Sequence, residues 1–163
     1  MKIHKMILTL LSVILLTNFT SSIVRAEALD NLGLVVDGSL LTNKLEVEDT
    51  TMKLVRGNIL NKGTAKCTNA GDGKVTATGL TIAHVICDNL YLSLSLDKYN
   101  PEDQTWSSFK TWSVSEQETS SLLKSYTIDV DRGYFYRVRG NHAAEDGETY
   151  ESVETCTDGI LIK

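Results

Sequence analysis

The chain has 163 residues, 21 acidic against 16 basic side chains and a net charge of −5, with 3 cysteines and 1 proline. That length holds one domain and hardly two once a leader is removed. The acid excess disfavours nucleic acid or an anionic membrane as a general partner, because both would repel it.

Lys2, His4 and Lys5 make a basic start, and residues 6–16 are apolar apart from Thr9 and Ser12. The run is short of the roughly 20 apolar residues that span a bilayer. Ala26 and Ala28 then stand at A-x-A spacing, with Val24 and Ala26 as a nearby alternative. Residues 1–28 therefore read as a signal peptide. Cleavage after Ala28 leaves 135 residues with 13 basic and 20 acidic side chains, a net of −7. With no cysteine beside the cleavage region and no apolar stretch at the end, the expectation is a secreted, extracellular protein without stable membrane insertion.

Residues 29–60 are irregular in pattern and carry an acidic patch of Glu46, Glu48 and Asp49. They read as an N-terminal extension, with the folded domain over residues 61–163. Residues 62–69 form a first strand, and Ala70-Gly71-Asp72-Gly73 supplies a turn into the alternating residues 74–81. Residues 89–97 alternate cleanly: Leu90, Leu92, Leu94 and Leu96 on one face, Tyr91, Ser93, Ser95 and Asp97 on the other. The tract around Pro101 is a turn.

Residues 105–114 place Trp106, Trp112 and Val114 in one phase and Phe109 out of it, which calls for a bulge, an edge position or a two-sided strand. Residues 113–121 read as a polar connection, and residues 125–130 as another strand. In the GYFYRVRGNH stretch, Tyr134, Tyr136, Val138 and Gly140 suit a core, whereas Phe135, Arg137, Arg139 and Asn141 suit a mostly wet face. A last strand covers residues 155–162. Seven short strands without helical periodicity predict an all-β fold, specifically an immunoglobulin or fibronectin type III-like antiparallel β-sandwich.

An oxidising exterior permits one disulfide among Cys67, Cys87 and Cys156 and leaves one thiol. All three pairings stay open. Cys87 with Cys156 is preferred, since both border regions a sandwich could bring together, and such a long loop is worth on the order of 4 kcal/mol before strain.

The segment YFYRVRG, residues 134–140, resembles the sixth-strand signature of fibronectin type III domains, Y-x-aliphatic-x-V-x-small. The resemblance implies that Tyr134 closes a corner by a hydroxyl bond to backbone, although Tyr136 stands where an aliphatic residue is commoner. More widely, VVDGSLLT at residues 35–42, Arg56-Gly57, TWSSFKTW, GYFYRVRGNHAA and the terminal TDGI resemble DUF6147, a family of small secreted Firmicutes proteins of unknown function. That likeness implies export from a Gram-positive bacterium and an all-β core, and it implies no activity.

Catalytic and metal readings fare poorly. Cys87, His84 and His142 could pair a thiol with a base that Asp88 or Asp158 orients, but no local feature activates the thiol. His84-x-x-Cys87 is a zinc-like spacing, but Cys67 and His142 are scattered from it. AGDGK and EDGET hold too few oxygen ligands for a calcium loop, and the many acids define no glycosidase pair. The expectation is a non-enzyme without cofactor or metal, binding a cell-surface protein or carbohydrate at the cell exterior. Trp106, Trp112, Phe135, Arg137 and Arg139 form the expected interaction surface. A secreted antimicrobial or toxin-like protein, or its protective partner, is the alternative.

Overall fold

Period-2 alternation of apolar and polar residues is clearest over residues 74–81 and 89–97, and strands follow it there. The computed structural model describes residues 29–53 and 59–163; the expected signal peptide, residues 1–28, and the Arg56-Gly57 pair lie outside them. The elements are β1 (Val35–Val36), β2 (Ser39–Thr42), β3 (Glu46–Met52), β4 (Leu60–Gly71), β5 (Lys74–Asn100), β6 (Thr105–Asp129), β7 (Phe135–Asp146), β8 (Thr149–Cys156) and β9 (Gly159–Leu161). All belong to one nine-stranded sheet in the order β1-β2-β9-β7-β5-β4-β3, with β6 also beside β5 and β8 beside β7. The protein is all-β, as expected. Among the described residues no helix is long and apolar enough to cross a membrane.

The sheet is mixed and not purely antiparallel, because β2 and β9 run parallel. The stretch read as an extension supplies three of its strands, β1, β2 and β3. Two expected strands, residues 74–81 and 89–97, are the halves of the 27-residue β5. The polar residues 113–121, expected to be a connection, continue β6 as strand. An exposed ladder needs only backbone partners, so serine, threonine and glutamate serve where apolar residues are absent.

Strand β5 bends in its middle. Ile82 pairs with Ser121 and Cys87 with Thr119, so more residues of β5 than of β6 fill this interval. Such an irregularity bends the strand and increases its twist. The second half of β5 then packs over the first: a Cβ placed on Gly79 would lie 2.7 Å from Leu94 and 2.8 Å from Leu92. Between the halves sits the main core, with Ala65, Cys67, Val75 and Ala77 on one side and Leu90, Leu92, Leu94, Leu96, Tyr136 and Val138 on the other. Burial alone pushes the Cys67 thiol far up.

The curled sheet closes through side chains where the backbone ladder stops. The Asp49 carboxylate accepts from the Cys156 amide at 2.8 Å, Glu151 from the Leu60 amide at 2.8 Å, and Lys53 Nζ donates to the Ser152 carbonyl at 3.3 Å. Expected details are also refined. Leu96 pairs with Lys110 and Asp97 with Ser108, so Phe109 is the bulge. The corner bond comes from Tyr136, whose hydroxyl donates to the Asp131 carbonyl at 3.1 Å. Tyr134 instead carries the Lys98 ammonium 3.6 Å above its ring centre.

Gly63 has a packing reason. A Cβ there would stand 2.3 Å from the His142 ring, which is itself fully buried. Gly63→Ala is therefore expected to cost about 1–3 kcal/mol through overpacking. Urea unfolding should show a lower midpoint for this variant, and His142→Ser in the same chain should restore part of the loss.

Candidate binding groove

The outer phase of the second half of β5 carries Ser93, Ser95 and Asp97, and the register places them opposite Asn141, Arg139 and Arg137 of β7. On the other side Ser93 meets Ser113 and Ser95 meets Thr111 of β6, while Arg139 and Asn141 meet Cys156 and Glu154 of β8. Four adjacent strands thus present short hydroxyl and amide side chains bordered by longer charged ones. They line a groove of about 460 Å³ that Asp49 and Trp112 also border.

The groove is hydrogen-bonded internally. Ser93 and Ser113 hydroxyls are 2.9 Å apart, and Ser95 donates to Asp97 at 2.8 Å. Arg139 is held side-on: Nε donates to Asp97 Oδ2 at 2.5 Å and Nη2 to Oδ1 at 3.2 Å. Hydrogen bonding to Asp97 raises the Arg139 pKa and keeps the guanidinium charged. Its side chain remains half exposed, and Nη1 has no hydrogen bond among the described residues. A charged, pre-oriented donor is what recognition of a carboxylate, phosphate or polyhydroxyl ligand requires.

Beneath it lies an ion network that fastens the N-terminal hairpin. Asp97, 1% exposed, also accepts from Arg137 Nε at 3.3 Å. Arg137 Nη2 donates to Asp37 Oδ2 at 2.7 Å, and Nη1 to Ser39 Oγ at 3.0 Å and the Asp37 carbonyl at 3.1 Å. The same bond from Arg137 lowers the Asp37 pKa. The Arg137 guanidinium stacks 4.5 Å from the Trp106 ring, whose Nε1 donates to the Val36 carbonyl at 3.1 Å.

This network separates the expected interaction surface into two parts. Trp112 and Arg139 border the groove. Phe135 and Arg137 are buried, and half-buried Trp106 packs with Leu41, Tyr99, Phe135 and Leu161 in a second apolar cluster. The wet face expected at this end is covered because the β1–β2 hairpin lies over it. Asp37-Gly38, both at positive φ, forms the tight turn that brings Asp37 and Ser39 to Arg137. Asp97, Asn141 and Glu154 were not singled out from sequence, although the shared phase of Ser93, Ser95 and Asp97 was visible there.

The thiols stay apart. Cys67, Cys87 and Cys156 are all free, so the structure does not form the preferred Cys87–Cys156 bond. Asn89 and Arg139, near these cysteines, pair with Glu145 and Cys156 respectively, six positions apart on β7. At the usual strand rise that is about 20 Å, far beyond disulfide reach. Cys156 Sγ instead lies 3.5 Å from Ser39 Oγ.

A model of a family of unknown function, DUF6147, matches residues 27–160. The chain belongs to the DUF6147 family. The matched stretch takes in the N-terminal hairpin, the ion network and the groove of this DUF6147 protein. No curated protein and no solved structure matches it.

The cysteine and histidine side chains of this DUF6147 member do not assemble into a site among the described residues. His142 pairs with Leu92, five positions along β5 from Cys87, roughly 17 Å at the usual rise. His84 is exposed, whereas His142 is sealed in the core. Burial, together with the charges of Asp146, Asp88 and Glu151, raises the Cys87 pKa, which opposes thiolate formation.

Proposed function

We propose that this protein is a secreted, non-enzymatic binding module that acts at the cell exterior and takes a cell-envelope carbohydrate, or a surface protein bearing one, in the groove over β6, β5, β7 and β8. The observation that carries the reading is the groove's composition: rows of serine and threonine hydroxyls, the Asn141 amide, and a fixed guanidinium with a free Nη1. Sugars offer alternating donors and acceptors to such rows. Export through a leader over residues 1–28 belongs to this reading, as does an origin in a Gram-positive bacterium. So does the finer likeness to a fibronectin type III sandwich, which rests on the YFYRVRG signature, although the hydroxyl bond to backbone comes from Tyr136 and not from Tyr134.

The test is a binding screen of residues 29–163 against cell-wall glycans and surface proteins, followed by titration of any hit. Arg139→Ala and Asn141→Ala are each expected to weaken binding about tenfold, the scale of a lost hydrogen bond to a charged or fixed group. A folded protein that binds nothing in the screen, or variants that bind as tightly as the parent, would remove the groove from consideration.

A further inference from the structure

Strand β6 ladders with β5 over its full 25 residues and has no ladder partner on its other side among the described residues. A free edge of that length exposes a row of backbone donors and acceptors that templates another strand. Residues 105–129 contain no proline, and between Thr111 and Ser115 the edge carries no charge. The straight part of the edge is bounded by the bulge at Phe109 and by Glu118, whose φ is 49°.

We infer that two copies of this chain associate through β6, antiparallel, with the two-fold axis at Ser113. The charge pattern is self-complementary in this register. Lys110 of each copy falls opposite Glu116 of the other, and Trp112 opposite Val114 on the same face. On the opposite face Thr111 meets Ser115, and Ser113 meets its own copy. Lys110 is exposed and has no salt bridge among the described residues. Glu116 binds Lys124 through Oε1 at 2.7 Å, which leaves its second oxygen for the incoming lysine. The two sheets become one continuous sheet, a closed two-fold assembly that covers both β6 edges along this stretch.

The mass of residues 29–163, measured by analytical ultracentrifugation from micromolar to millimolar concentration, is expected to rise from monomer to dimer and to stop there. Lys110→Glu and Glu116→Lys should each weaken dimerisation about tenfold or more, because each sets like charges opposite at both symmetry-related pairs. An equimolar mixture of the two variants restores both ion pairs and should dimerise again. Hydrogen exchange of the parent offers a readout that needs no substitution: amides within residues 110–117 should gain protection as concentration rises. A monomer at every concentration overturns the inference, as does a dimer indifferent to both charge reversals or one without added protection in that stretch.

Discussion

Replacing Asp97 by alanine is expected to lower stability by about 3–5 kcal/mol, the cost of leaving a buried charge without its partner. Asp97 and Arg137 are both nearly inaccessible, and Asp97 is the carboxylate that joins Arg137 on one side to Arg139 on the other. Arg137 would keep Asp37, but that carboxylate is largely exposed and cannot replace a desolvated counter-charge. For a chain of this size the melting temperature should fall by roughly 10 °C. Asp97→Leu combined with Arg137→Met removes both charges and should recover most of the loss, since apolar replacement of a buried pair is often neutral. Thermal melts of the two variants decide the matter. If Asp97→Ala melts within a degree or two of the parent, the network does not fasten the hairpin.

Acid is the second strong perturbation. His142 is fully buried, with Nδ1 3.1 Å from Thr81 Oγ1 and Nε2 2.9 Å from Thr155 Oγ1. Thr81 donates its own proton to the Tyr91 carbonyl at 3.2 Å, so the neutral ring donates from Nδ1 and accepts from Thr155 at Nε2. A second ring proton would displace the Thr155 hydroxyl hydrogen. Burial accordingly lowers the His142 pKa to about 4, against a small opposing pull from Asp49.

The folded-state value lies below that of the unfolded chain, about 6.5. The unfolded chain therefore binds the extra proton first as pH falls. Stability from this residue is complete above pH 6.5 and declines towards pH 4, where the folded state also protonates. Between pH 6.5 and 5, above most carboxylate titration, the decline should total about 1.5 kcal/mol. Urea unfolding at half-unit pH intervals measures it. A flat profile across this window, or an imidazole carbon resonance that titrates above pH 6 in the folded protein, would contradict the assignment.

Leucines at alternate positions made the second half of β5 legible, because burial against a single core face writes itself into period 2. The bulge at Phe109 was legible for the same reason, as a break in that period. The polar middle of β6 was not, since a solvated ladder is held by backbone and leaves no apolar trace. Nor was the fate of Phe135 and Arg137. Their face reads as wet until a hairpin more than 90 residues upstream is laid across it, and short-range alternation carries no information about such a partner. The groove was half visible: Arg139 and Trp112 stood out as residue types, while Ser93, Ser95 and Asn141 acquire meaning only once the register aligns them.

The parallel pairing of β2 with β9 also imposes an order in time. Ser39 donates to the Thr157 carbonyl and the Leu40 amide to Asp158, contacts 118 residues apart. The β4–β5 and β5–β6 hairpins pair stretches adjacent in sequence, whereas the N-terminal hairpin docks on residues 70 to 118 positions downstream, from Trp106 and Arg137 to Thr157 and Asp158. Docking of that hairpin is thus expected late in folding, because local pairings form before contacts so distant in sequence. Strand β9 is the clasp that completes the sheet around the N-terminal hairpin.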